Sequence, residues 1–159
     1  YGYDFDRGLS KTEKAAAWAL EKMLEDNLYW LMVDVRWLDD ANFAKGPAHF
    51  FDGLPPIVRN LVRLMVRSKQ RKTLNAHGIG RHTAAEKLAI AKQDIASVAA
   101  LLDDKPYLFG NEPCGADASA YAFMAGVLCP HFESPIRDSA ESHANLVAYV
   151  HRMKTRYFP

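Results

Sequence analysis

Tyr29, Trp30, Val33, Arg36 and Trp37 are the residues of this sequence best suited to hold a small molecule. At helical spacing they form one stripe of a helix whose other stripe, Leu24, Leu28, Leu31, Val35 and Leu38, already suffices to pack on a core. Two apolar stripes are one more than a core requires, so the aromatic stripe meets a cleft, a partner or a further layer of packing. The charged members of Leu28–Leu38 are Asp34 and Arg36. They stand two positions apart, on nearly opposite sides of a helix, and cannot pair with each other. Arg36 is thus free to balance a carboxylate of a ligand or a structural acid elsewhere. A buried Trp30 or Trp37 needs an acceptor for its indole N–H.

Three further groups carry potential chemistry. His77-Gly78-Ile79-Gly80-Arg81-His82 places two histidines five apart on a glycine loop, without a cysteine or carboxylate at metal-ligand spacing. No strand precedes its Gly-x-Gly, so a phosphate loop fails its own context test. His77 and Arg81 are read instead as fixing a turn between helices or edging an interdomain contact. Arg59, Arg63 and Arg67 recur every four residues ahead of Lys69, Arg71 and Lys72, a basic stripe suited to an anionic membrane surface, nucleic acid or an acidic partner, or to simple solvation. Cys114 stands at a helix start, where a thiol is activated in principle, but Asp117 nearby opposes ionisation. No residue sits in a nucleophile-elbow setting, so no catalytic residue and no metal site is expected.

The elements that position these groups are helical throughout. Ser10-Lys11-Thr12-Glu13 is a capping box, and the helix it opens runs to about Leu38, roughly 40 Å at 1.5 Å per residue. Residues 39–53 read as a loop or short helical turn broken by Gly46 and Pro47. Pro55-Pro56 starts a second long helix with Ile57, Leu61, Leu64 and Met65 inward and Val58 and Val62 as further candidates for that side, fading near Lys72. Residues 75–82 read as a tight loop. Thr83-Ala84-Ala85-Glu86 is a second capping box, and Leu88, Ala91, Ile95, Val98 and Leu102 form a clean seam behind it. Apolar residues surround the helix from Cys114 to about Leu128, which places it at the centre of the domain. Ser134-Pro135 and the region of Ser142 start the last two helices. No segment shows period-2 alternation. The fold class is all-α, a bundle of five to seven helices with no sheet.

At 159 residues, 49% hydrophobic and 25% charged, the chain fits one globular domain. A net charge of +1 argues against nucleic acid as a partner. No apolar run approaches the roughly 18 residues of a transmembrane helix. Two cysteines make no disulfide framework, so a cytoplasmic setting is expected. The chain opens on Tyr1 rather than Met, as a piece of a longer protein would.

Lys105-Pro106-Tyr107-Leu108-Phe109-Gly110, followed by a helix that starts at Cys114 and carries Asp117 at its third position, resembles the buried capping motif in the second domain of glutathione transferases. Leu28-Tyr29-Trp30 with Arg36-Trp37, the His77–His82 segment, Asp103–Gly110 and Asn145-Leu146-Val147-Ala148-Tyr149 are similar to the glutathione transferase-like branch of metaxins and failed-axon-connections proteins. That family usually has Ser or Thr where Cys114 stands, so Asp117 must carry most of the capping.

The resemblance implies that residues 1–9 end an interdomain linker and residues 10–159 form the helical C-terminal domain. The N-terminal thioredoxin-fold domain, which would bind glutathione as co-substrate, is then absent from this chain, and the helical domain alone binds no cofactor. Tyr29, Trp30, Val33, Arg36 and Trp37 would line a wall for a small hydrophobic electrophile, and two copies would pair through the first long helices. By itself this domain would not be an enzyme. The alternative is a non-catalytic, metaxin-like interaction or scaffold domain.

Overall fold

Local hydrogen bonding starts the helices where the spacing predicts them. In the computed structural model the backbone N–H of Glu13 donates to Ser10 Oγ at 3.2 Å, and Ser10 N–H donates to Glu13 Oε2 at 2.7 Å. The Thr83–Glu86 box closes the same way at 3.3 and 2.8 Å. Each box satisfies two amides that a bare helix start would leave orphaned. The structure describes residues 2 and 4–158; Tyr1 and Tyr3 of the expected linker end, and Pro159, lie outside the described residues.

The first helix is α1 (Lys11–Met23), a π-helical turn (Leu24–Leu28) and α2 (Tyr29–Leu38), run end to end. The π turn, in which Tyr29 N–H reaches back to the Leu24 carbonyl, interrupts what the periodicity reads as one uniform helix. Next come α3 (Asp40–Lys45) and a 3-10 turn (Pro47–Phe51), where a loop or short turn was expected. α4 (Pro56–His77), a 3-10 turn (Ile79–Arg81), α5 (Ala84–Leu102), α6 (Gly115–Val127), α7 (Pro135–Glu141) and α8 (Ala144–Tyr157) complete the bundle. With α1 to α2 counted as one, there are seven helices and no strand among the described residues, as the all-α reading expects.

The core lies where α1, the π turn, α5, α6 and α8 meet. Leu24, Leu28 and Leu31 of the first stripe are fully buried there with Ile95, Val98, Leu102, Met124 and Leu146. Each such leucine stabilises the fold by about 1.5–3 kcal/mol. Asn145 ties α8 to the end of α5, its Nδ2 donating to the Ala99 carbonyl at 2.9 Å and the Asp103 carbonyl at 3.2 Å.

α4 corrects the sequence reading twice. It continues to His77 rather than fading near Lys72, so residues 75–77 are helix and not loop. Its row Ile57, Leu61, Leu64 and Met65, expected inward, faces out at 87%, 59%, 68% and 62% exposure. Of the further candidates Val58 is also exposed, at 45%, while half-buried Val62 marks the inner side with half-buried Val66 and buried Leu74. Apolar residues occur on both sides of α4, so periodicity alone does not say which side packs.

The basic stripe is largely structural. Arg63 donates to the Ala48 carbonyl at 2.8 Å and pairs with Asp52 at 2.8 Å. Arg67 donates to the carbonyls of Trp37 at 3.0 Å and Leu38 at 2.7 Å, closing the C-terminal end of α2, and pairs with Asp40 at 2.6 Å. Two of the three arginines therefore clamp residues 37–52 onto α4.

Candidate functional site

The structure distributes the aromatic stripe over different surroundings. Trp30 lies against the His77 ring at 4.6 Å and meets Tyr29 edge-on at 5.1 Å. Trp37 sits between Phe43 at 6.1 Å and Phe50 at 6.2 Å. Val33 is half-buried against the core. Of the five, Tyr29 alone is open to solvent, at 47%. Arg36 turns to the other side of α2, where Nη2 donates to the Gly126 carbonyl at 2.7 Å and the guanidinium covers Phe132 at 4.7 Å. Burial pushes the Arg36 pKa down from its usual range. A Cβ on Gly126 would stand 2.7 Å from Met32 Cε, so the end of that flexible side chain would have to shift to admit one. Arg36 thus shares no surface with Trp30 and Trp37, and its partners are a carbonyl and a ring instead of an acid.

The glycine segment serves the turn. Gly78 has φ 113°, beyond what an L side chain adopts readily. A Cβ on Gly80 would meet Asn75 N at 2.6 Å, and Arg81 Nε donates to the Asn75 carbonyl at 3.0 Å. No group of three metal-ligating side chains occurs among the described residues.

Asp117 is the best-satisfied charged group of the bundle. Wholly buried, it accepts from Leu108 N–H at 3.0 Å, Cys114 N–H at 2.9 Å, the Tyr149 hydroxyl at 2.9 Å and the Cys114 thiol at 3.3 Å. One carboxylate thereby joins the Tyr107–Gly110 loop, the start of α6 and the centre of α8. Burial, then the charge of Asp117, pushes the Cys114 thiol up to about 12, so it stays protonated and unreactive at neutral pH. The same causes raise the Tyr149 hydroxyl. A second carboxylate, Asp6, reaches the helix start, accepting from Gly115 N–H at 2.9 Å. The first-turn amides and the helix dipole both favour that charge.

The surface best formed to take an apolar ligand was not in the sequence reading. Between the outer side of α6 and the end of α8 lies a groove of about 570 Å³. Gly115, Ala118 and Ala122 line one side, and Phe5, Tyr121, Met153, Tyr157 and Phe158 line the rest. Tyr121 and Phe158 stack at 5.6 Å with 17° between their planes. At its edge Arg156 Nη1 donates to the Tyr107 hydroxyl at 2.6 Å, and that bond chiefly raises the arginine pKa. Ala118 and Ala122 are exposed, so α6 is not enclosed on every side as its composition suggested. The contributing aromatics come from both ends of the chain, which periodicity within one helix cannot reveal. The row of small residues on α6 was the available clue.

Two family models match the chain. That of the glutathione S-transferase C-terminal domain covers residues 91–153, from α5 into α8. That of the glutathione S-transferase N-terminal domain covers residues 1–42, whose described part is a turn followed by α1, the π turn, α2 and the start of α3. The chain is 31% identical to Failed axon connections of Drosophila melanogaster, over 97% of its own length and 40% of that protein. It is 27% identical to the isoprene-epoxide–glutathione S-transferase of Rhodococcus sp. (strain AD45), over 99% of its length and 67% of the relative. With human metaxin-2 it shares 20% identity over 99% of its length and 60% of the relative. The chain therefore spans between two fifths and two thirds of these curated relatives. No solved structure matches it.

Proposed function

We propose that this chain, which belongs to the glutathione transferase-like family in the branch of Failed axon connections and the metaxins, is the helical half of a glutathione-conjugating protein. In this reading residues 1–9 end the linker from a thioredoxin-fold domain that holds glutathione, and residues 10–159 supply the apolar wall facing it. The observation that carries the reading is the groove between α6 and α8. Its volume suits a small ligand, and its lining is aromatic and aliphatic. Such a wall contributes proximity and exclusion of water, not acid–base groups. The Cys114 thiol at the start of α6 is held protonated and supplies no activated nucleophile. A small hydrophobic electrophile is the proposed substrate. An epoxide is the first to try, because one relative is an isoprene-epoxide–glutathione S-transferase. Tyr29, exposed on α2, is the member of the aromatic stripe available to a neighbouring domain, with Trp30 beneath it.

The outward row of α4 supports the second part of the proposal. Ile57, Leu61, Leu64 and Met65 form an apolar surface that a second copy would cover, giving a homodimer. A cytoplasmic setting is proposed; no helix among the described residues is long and apolar enough to cross a membrane. The same α4 surface favours a second reading, in which it binds a different protein and the family fold serves as a scaffold. Turnover of the full-length protein with glutathione and a small epoxide separates the two. Conjugation above the uncatalysed rate is expected, and its absence across a panel of electrophiles would leave the scaffold reading.

A further inference from the structure

A second buried aspartate lies apart from the groove and from the capping network. Asp94 points from α5 into the core with 4% exposure, and its Oδ2 has no hydrogen-bond partner among the described residues. The side chain of Asn27 lies beside its carboxyl and favours the ionised form. Asn27 belongs to the π-helical turn Leu24–Leu28, which packs against α5. A lone buried carboxylate oxygen thus meets the one segment where the first helix departs from α-helical winding. Because π turns are rare and concentrate at sites with a purpose, the coincidence calls for a physical account.

We propose that Asp94 and the π turn form a protonation-controlled joint in the first helix, closed while the carboxyl is neutral and loosened when it is ionised. Neutral Asp94 leaves at most one weakly polar group unpaired. Ionised Asp94 leaves part of a negative charge without a donor in apolar surroundings, a far costlier state. Admitting water relieves it, and the π turn is among the elements packed against α5. Burial raises this carboxyl to about 6, and the Asn27 side chain opposes the rise. No neighbouring charge among the described residues shares in that rise. Glu25 and Asp26 of the π turn are exposed, as are Asp138 and Glu141 of α7. Arg137 pairs with Glu141 at 2.7 Å, and on α8 Arg152 donates to the Pro106 carbonyl at 3.0 Å. Loosening the joint frees α2, with Tyr29 and Trp30, from its fixed angle to α1.

Amide exchange corrected for its intrinsic pH dependence tests this in the intact chain. Protection of amides 24–29 is expected to fall roughly tenfold per pH unit between about pH 4 and 6 and to level off above, up to about a hundredfold in all. Asp94→Asn keeps the shape and removes the charge, so its protection should be flat over that range. Asn27→Ala removes the side chain that opposes the rise, so its midpoint should move to higher pH. Equal pH dependence in Asp94→Asn and the parent, a flat parent profile, or an unmoved Asn27→Ala midpoint would each overturn the joint.

Discussion

Asp117 and Asp94 are both buried in the same bundle, one wholly and one at 4% exposure, yet their surroundings differ in every other respect. Asp117 receives two backbone amides, a hydroxyl and a thiol. Asp94 has the Asn27 side chain beside it and keeps an oxygen bare. Burial is common to both, so donors decide the outcome. With four donors a carboxylate becomes a fixed pin between α6, α8 and the loop before them. Without such donors, it becomes a group whose charge the fold barely tolerates. The first suits a surface that must keep its shape, and the second a point that can give way.

Removing the pin should have the largest effect. Asp117→Ala leaves Leu108 N–H, Cys114 N–H and the Tyr149 hydroxyl unpaired in the core, at about 1–3 kcal/mol for each orphaned group. A loss of about 3 kcal/mol or more in denaturant unfolding is expected, and coincident unfolding curves would show that the carboxylate carries no such load. Asp94→Asn should act in the opposite direction. The folded-state value of about 6 lies above the 3.8 of an unfolded aspartate, so the folded form binds the proton more tightly. The stability linked to this group is therefore complete below about pH 4 and lost as pH rises through 6. At pH 7 Asp94→Asn should stabilise the chain by about 2 kcal/mol, and the gain should fade towards pH 4. A gain independent of pH would remove the charge from the explanation.

Smaller effects sharpen the contrast between interior and surface. Leu61→Asp and Leu64→Asp lie on the bare side of α4, where stability should change by no more than about 0.5 kcal/mol. Light scattering should nonetheless show a dimer giving way to monomer. Cys114→Ser should shift stability by less than about 1 kcal/mol in either direction. The thiol is only one of four donors to Asp117, and serine can replace it as a donor.

Local spacing made some of this legible. Ser10 and Glu13, Thr83 and Glu86, and Cys114 and Asp117 stand three residues apart, and a capping geometry completes itself within one helical turn. The seam from Leu88 to Leu102 was readable for the same reason, because no other side of α5 is as apolar. α4 was misread because its apolar residues occupy two sides and the choice depends on α2, far away in sequence. Arg36 was grouped with Trp30 and Trp37 by proximity in the chain, but the helix turns it towards Gly126 and Phe132. The groove escaped notice because Phe5 and Phe158 belong to opposite ends of the chain and its other side is built from Gly115, Ala118 and Ala122. The orphaned oxygen of Asp94 exists only once α5 meets the π turn, and no spacing rule announces it.

The central claim is that the groove between α6 and α8 receives the electrophile. Steady-state kinetics of the full-length protein carrying Ala122→Trp test it most directly, because the indole fills the groove from an exposed position that the core does not use. The KM for the electrophile should rise about tenfold or more, consistent with losing roughly 1.4 kcal/mol or more of binding, while the KM for glutathione stays unchanged. Unchanged kinetics towards both substrates in a folded, active variant would contradict the account.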